Sequence, residues 1–206
     1  MNDCNKENNI RYSYLSQDPI KKCIKNCKSL DDLSYIIDKI TLWKINRQVV
    51  LSSLDEIEKA LKEIKEIKKY NAKTDEEKVR KALKLLTSMK GIRLPLASTI
   101  LNFYNSIFPI CDQRAYRAVY HINKKGDRDY PMTLSDLQAL HNTENKKQDA
   151  YIDLYIDYMN ECTDAVEKLK GVYFEMNNHK VAVTKKNIDK YLYALDEQMG
   201  KRVKGQ

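Results

Sequence analysis

Glycine and proline are scarce in this sequence, which has only five glycines and four prolines among its 206 residues. Runs in which valine, threonine and aromatic residues alternate with polar residues, as in half-buried strands, are also hard to find. Leucine, isoleucine, lysine, glutamate and tyrosine dominate instead. The composition therefore predicts an all-α protein.

No internal repeat and no long linker divides the chain. Its length is sufficient for one large domain with a real buried core. We therefore expect a single helical domain over residues 1–206, in which residues 1–18 are only loosely attached.

Apolar residues recur at intervals of three and four along most of the chain, which is the spacing of amphipathic helices. Capping residues or a first-turn proline before an apolar stripe predict helix starts near Pro19, Ser29, Ser53, Thr74, Thr133 and Thr184. A long stripe predicts a further helix over residues 148–170. Residues 126–132 are expected to form a loop, and residues 180–184 a short extended piece.

The cysteines exclude a disulfide framework. They are odd in number and scattered, without a Cys-x-x-Cys pair, at Cys4, Cys23, Cys27, Cys111 and Cys162. The spacing of Cys23 and Cys27, one helical turn apart, suits buried thiols.

Metal-binding and phosphate-binding motifs are missing as well. His121, His141 and His179 have no spacing that would form a metal site with one another or with cysteine. Neither of the common glycine-rich nucleotide-binding loops occurs. We therefore expect no metal and no cofactor.

The longest apolar stretch, residues 94–110, is too polar to span a bilayer. It is interrupted by Ser98, Thr99, Asn102 and Asn105. The first 18 residues contain no apolar signal core. Both absences predict a cytoplasmic protein.

Positive charge is concentrated in one part of the chain. The formal net charge is +8, and residues 88–128 contain seven basic residues against two acidic ones, Asp112 and Asp127. The basic residues are Lys90, Arg93, Arg114, Arg117, Lys124, Lys125 and Arg128. Such a cluster can neutralise phosphates and release counterions. It is equally compatible with an ordinary solvated surface rich in lysine.

Residues 85–98 predict a helix, a tight turn and a second helix. Gly91 suits the left-handed position that ends the first helix, and Pro95 suits the first turn of the second. Backbone N–H groups at the start of a helix form a ready phosphate site. Lys90 and Arg93 flank the turn and would strengthen such a site.

Asp112 precedes a predicted helix over residues 113–122. Aspartate is a good N-cap, because its carboxylate accepts hydrogen bonds from the first backbone N–H groups of a helix. The residues alone therefore leave two roles open for Asp112, as a structural cap and as a functional carboxylate.

Two motifs in this region carry a family resemblance. Residues 89–97 read Met-Lys-Gly-Ile-Arg-Leu-Pro-Leu-Ala, and residues 108–114 read Phe-Pro-Ile-Cys-Asp-Gln-Arg. The pair resembles the hairpin and the Pro-x-x-Asp motif of the helix-hairpin-helix/Gly-Pro-Asp (HhH-GPD) superfamily of base-excision DNA glycosylases. The resemblance is densest over residues 85–117, and a weaker similarity extends to Trp43, Lys44 and residues 188–195.

The resemblance implies an all-α glycosylase-like fold of two helical lobes around a cleft, with the helix-hairpin-helix motif near residues 80–105. In this superfamily the hairpin contacts duplex DNA. The aspartate lies beside the sugar of an extruded nucleotide, where it stabilises a cationic sugar or positions water. Asp112 is the implied catalytic residue. The implied nucleic-acid-binding residues are Lys90, Gly91, Arg93, Arg114 and Arg117.

Three departures from the family pattern narrow the expected activity. Relatives with lyase activity carry a hairpin lysine that attacks the sugar, but Pro95 stands at the matching position and no lysine occurs between Gly91 and Thr99. Arg93 replaces the second hairpin glycine. Its charge could substitute for the backbone contacts with phosphate, or its side chain could block them. The clustered cysteines of iron–sulfur relatives are missing too.

These departures predict at most a monofunctional DNA glycosylase, without Schiff-base lyase activity and without an iron–sulfur cluster. Two alternatives stay open. The chain could be a non-catalytic helix-hairpin-helix protein that binds DNA, or a helical interaction protein that keeps the same fold.

Overall fold

The computed structural model describes residues 11–12, 18–45, 54–89, 91–123 and 144–203. These ranges form eight helices and a small sheet, which confirms the mostly helical class. The helices are α1 (Asp18–Lys25), α2 (Leu30–Ile45), α3 (Leu54–Ile64), α4 (Ala72–Thr87), α5 (Leu94–Tyr104), α6 (Gln113–Asn123), α7 (Glu144–Lys168) and α8 (Ile188–Val203). None of the helices in these ranges combines the length and the apolar character needed to cross a membrane. The predictions at Ser53, at residues 126–132 and at Thr133 lie outside the described residues.

Side-chain caps decide where two of the helices begin. The Asp32 N–H donates to Ser29 Oγ at 3.1 Å, so α2 begins where the sequence predicts. The start of α4 was expected near Thr74 but lies at Ala72, because Asn71 is the capping residue. Asn71 Oδ1 accepts the Lys73 N–H at 3.0 Å, which stabilises the first turn.

Three short strands form the sheet in the order β1–β2–β3, where β1 is Arg11–Tyr12, β2 is Tyr173–Met176 and β3 is His179–Ala182. β2 and β3 are antiparallel, and Asn177 and Asn178 adopt positive φ values of 50° and 67° in the turn between them. β3 overlaps the extended piece expected at residues 180–184. β1 pairs in parallel with β2, so two of the first 18 residues belong to the sheet.

The centre of the core is α5. Nine of its eleven residues are buried. It packs against α1, α2, α4 and α7, so it is buried on most sides, and its polar residues Ser98, Thr99 and Asn102 are hydrogen-bonded there. The second helix of the predicted hairpin is therefore held on several sides.

The other helices pack around this centre. α4 packs on α3 and α7, and α6 packs on α7 and α8. Polar contacts join α4 to α7: Arg80 Nη1 lies 2.6 Å from Asp153 Oδ1, and Gln148 Nε2 donates to the Lys84 carbonyl at 2.7 Å. The C-terminal half of α4, which leads into the turn before α5, is thus fixed against α7.

Candidate nucleic-acid interface

A short turn joins α4 to α5, and its backbone agrees with the sequence prediction. Gly91 has φ +91°, the left-handed region expected for it. The Ile92 N–H donates to the Met89 carbonyl at 3.2 Å and closes the turn. Pro95 lies in the first turn of α5, as expected. Lys90, the other predicted flanking cation, lies outside the described residues.

Arg93 immediately precedes α5 in an extended conformation. Its carbonyl accepts the N–H groups of Leu96 at 3.0 Å and Ala97 at 2.9 Å, which begins the helix. The Arg93 side chain is exposed, and within the described part of the chain it forms no ion pair. Its charge adds to the positive end of the α5 dipole, and Gly91 beside it is exposed as well. The α4–α5 turn is therefore a cationic surface open to solvent.

Residues 108–111 lead from α5 to α6, and we call them the anchored segment. Two buried tyrosines of α7 hold its backbone. Tyr155 donates its hydroxyl to the Pro109 carbonyl and Tyr158 donates to the Ile110 carbonyl, both at 3.0 Å. Burial raises the pKa of both tyrosines well above the usual value, so both hydroxyls remain neutral donors.

Polar side chains of α5 hold the two ends of the anchored segment. Asn102 Nδ2 donates to the Phe108 carbonyl at 2.7 Å. The Cys111 N–H donates to Ser98 Oγ at 3.0 Å. Every residue of the segment is buried, and each has at least one backbone group bonded to a side chain of α5 or α7. The residue that follows is Asp112.

Asp112 is the N-cap of α6, as one of the two predicted roles requires. Its Oδ1 accepts the backbone N–H groups of Arg114 at 3.1 Å and Ala115 at 3.0 Å. Its other oxygen, Oδ2, lies 2.8 Å from Lys44 Nζ. The Asp112 side chain is 20% exposed and that of Lys44 is 14% exposed. The carboxylate is thus held in one orientation but still reached by solvent.

Lys44 is the site residue that sequence reasoning did not assign. It lies in the last turn of α2, and the packing of α2 on α5 brings it to Asp112. The two residues are 68 positions apart, so no local spacing could have paired them. The only indication in the sequence that Lys44 belongs to the site was the weak family similarity around Trp43 and Lys44, and this similarity did not indicate Asp112 as its partner.

The two predicted arginines of α6 contact α8. The Arg114 guanidinium lies 4.9 Å from the centre of the Tyr193 ring and donates to the Tyr193 hydroxyl at 3.1 Å. Arg117 forms a two-pronged ion pair with Asp196, with N–O distances of 2.9 and 2.8 Å. Asp196 therefore neutralises Arg117, whereas Arg114 is exposed and stacked on a neutral ring.

The α4–α5 turn and the residue before Asp112 are both connected to α5. Ser98 bonds Cys111, the residue immediately before Asp112. Ser98 lies five residues after Arg93, which corresponds to about 7.5 Å along a helix axis. The predicted phosphate site therefore adjoins the start of α5, and the residue before the predicted catalytic carboxylate is bonded to the middle of the same helix.

Comparison with models of protein families, with curated proteins and with solved structures finds no match to this chain. Among the residues that the structure describes, no three His, Cys, Asp or Glu side chains form a group that could hold a metal ion. The glycosylase resemblance of residues 85–117 stays a prediction, and function has to be inferred from the geometry around Asp112.

Replacing Tyr158 by Phe should lower the free energy of unfolding by about 1–3 kcal/mol, because the buried Ile110 carbonyl loses its donor. Urea titration followed by circular dichroism measures the change. Tyr35→Phe is the matched control, since Tyr35 is 64% exposed and its loss of a hydroxyl should have little effect. Equal stability of the two variants would show that Tyr158 does not hold the segment.

Proposed function

We propose that this protein binds duplex DNA through the α4–α5 turn and releases a base from it, as a monofunctional base-excision DNA glycosylase of the helix-hairpin-helix type. Asp112 is the proposed catalytic carboxylate. The supporting observation is that two features are connected to α5: the exposed cationic turn immediately precedes this helix, and Ser98 of the same helix bonds the residue before the partly exposed carboxylate of Asp112. Base release needs both features, because the DNA backbone must be held while charge develops on the sugar.

The α4–α5 turn supports DNA binding by its charge and its shape. A phosphate can approach Gly91 closely because no side chain stands there. Arg93 supplies an exposed guanidinium, which suits the geometry of phosphate oxygens. Arg114, in the first turn of α6, supplies a second exposed guanidinium. The cytoplasmic location expected from the sequence is compatible with this partner.

The proposed chemistry uses the negative charge of Asp112. When the bond between C1′ and the base breaks, its electron pair leaves with the base and the sugar becomes positively charged. A fixed carboxylate beside the sugar stabilises this charge. Water then adds to C1′ and loses a proton to solvent, and the departed base takes up a proton, which leaves a free neutral base and an abasic sugar. The anchored segment supports this role, since it restricts the movement of the carboxylate during the reaction.

A non-catalytic DNA-binding protein is the alternative, and a specific observation favours it. Both oxygens of Asp112 already have partners, one in the first turn of α6 and one at Lys44. A carboxylate with these contacts has a sufficient structural role without any reaction. The alternative keeps the cationic turn as the DNA-binding surface and requires no base release.

Asp112→Asn separates the two functions, because asparagine also caps helices but carries no charge. We expect the variant to fold like the parent and to release a damaged or mismatched base from duplex DNA about 10²–10³-fold more slowly. Chromatography of the released base measures the rate. Asp164→Asn, the same change at an exposed carboxylate of α7, should leave the rate unchanged. An Asp112→Asn variant as fast as the parent would exclude catalysis by Asp112.

Arg93→Glu should weaken binding to duplex DNA and reduce the slope of log affinity against log salt by about 1, because one phosphate contact is lost. Fluorescence anisotropy at several salt concentrations measures both quantities. The control is Lys69→Glu, which makes the same charge change at another exposed position. If both variants lose the same affinity, binding depends on net charge and not on the turn.

Lys44 introduces a second candidate chemistry, because its amine lies 2.8 Å from Asp112. A deprotonated lysine amine that attacks C1′ displaces the base; the sugar ring then opens at the C1′–O4′ bond with loss of the amine protons to give an imine, which borohydride reduces to a stable protein–DNA adduct. The monofunctional proposal predicts no adduct when the parent is incubated with lesion-containing duplex and borohydride. An adduct that forms with the parent and disappears with Lys44→Ala would instead establish a combined glycosylase and lyase.

A further inference from the structure

A cavity of about 310 Å³ lies at the end of α2 opposite to Lys44. The first turn of α2, at Leu30, is fourteen residues before Lys44, or about 21 Å along the helix axis. The cavity is therefore separate from the proposed DNA site. Its volume is at the lower end of the range of small-molecule pockets.

The inner wall of the cavity is apolar. Ile24 of α1, Leu33 of α2 and Leu61 of α3 contribute to it, and all three are otherwise buried in the core. Leu30 lies at the rim and is 44% exposed, which is unusual for a large aliphatic side chain in this structure. A ligand that covered this wall and Leu30 would remove apolar surface from water.

The rim of the cavity is strongly basic. Lys25, Lys28, Lys62 and Lys65 line it, and its one carboxylate, Glu58, lies 2.9 Å from the Lys62 amine. In the described part of the chain the other three lysines form no ion pair. The cavity thus combines an apolar wall with three lysines that form no ion pair among the described residues, and the nearby Asp32 carboxylate accepts the Lys28 backbone N–H at 3.4 Å.

Two further groups narrow the chemistry of the cavity. Burial raises the pKa of the Tyr104 hydroxyl, which stays a neutral hydrogen-bond donor at pH 7. Burial also raises the pKa of the Cys27 thiol, which donates to the Ser29 carbonyl at 3.2 Å. The Cys27 thiol is thus already engaged in a hydrogen bond within the cavity wall.

We propose that this cavity binds a small amphiphilic anion, with an apolar body against Ile24, Leu33 and Leu61 and an anionic head between Lys25, Lys28 and Lys65. The head is a carboxylate, sulfonate or phosphate monoester, since each presents oxygen acceptors to ammonium groups. The body is short, because the cavity is small. This site is independent of the proposed glycosylase function.

The probe for the test is 8-anilino-1-naphthalenesulfonate, whose fluorescence increases when it enters an apolar site. We expect saturable binding to the folded parent at pH 7, competition by octanoate, and little competition by octanol or inorganic phosphate. The three competitors separate the contributions of head and body. Failure of octanoate to compete, or equal competition by octanol, would overturn the proposal.

A pair of double variants locates the probe. Lys28→Glu/Lys65→Glu reverses two charges at the cavity mouth, and Lys68→Glu/Lys69→Glu makes the same change at exposed positions outside it. We expect the dissociation constant to rise at least about tenfold in the first pair and to stay within about twofold of the parent in the second. Equal affinities in the two pairs would place the probe elsewhere. Base release or DNA binding by these variants is a separate measurement, so either proposal can fail alone.

Discussion

Two hydrogen bonds from buried tyrosines determine where the candidate site lies. Tyr155 and Tyr158 bind the carbonyls of Pro109 and Ile110 from α7, and α5 bonds the neighbouring backbone groups. A buried carbonyl without a donor is costly, so these contacts allow few other paths for the chain. The anchored segment therefore fixes the start of α6, and with it the position of Asp112.

Asp112 shows how one side chain can serve stability and chemistry together. Its carboxylate accepts backbone N–H groups at the start of α6 and lies 2.8 Å from the Lys44 amine, and these contacts hold it in place. The negative charge of the same group is what a cationic sugar would need. A structural cap and a reactive carboxylate are therefore compatible at this position, and only a change that removes charge without removing the cap can separate them.

The structural features that could be predicted from the sequence are those that depend on residues close to one another along the chain. The apolar spacing predicted most helices, and Gly91, Pro95 and Asp112 were placed correctly because turns and caps are local. The start of α4 was misplaced because Asn71 competes with Thr74 as a cap. The contacts of Lys44, Tyr155 and Tyr158 could not be predicted, since each depends on how distant helices pack.

The anchored segment has a consequence for which sequence changes this fold tolerates. Its contacts with α7 use main-chain carbonyls, so substitutions at Pro109 or Ile110 that preserve volume leave both acceptors in place. An inserted or deleted residue between Asn102 and Phe108 would shift all of these acceptors past their donors. The length of this connection is therefore more constrained than its composition. Related proteins should be recognisable by an invariant number of residues between α5 and the aspartate, even where the identities of those residues differ.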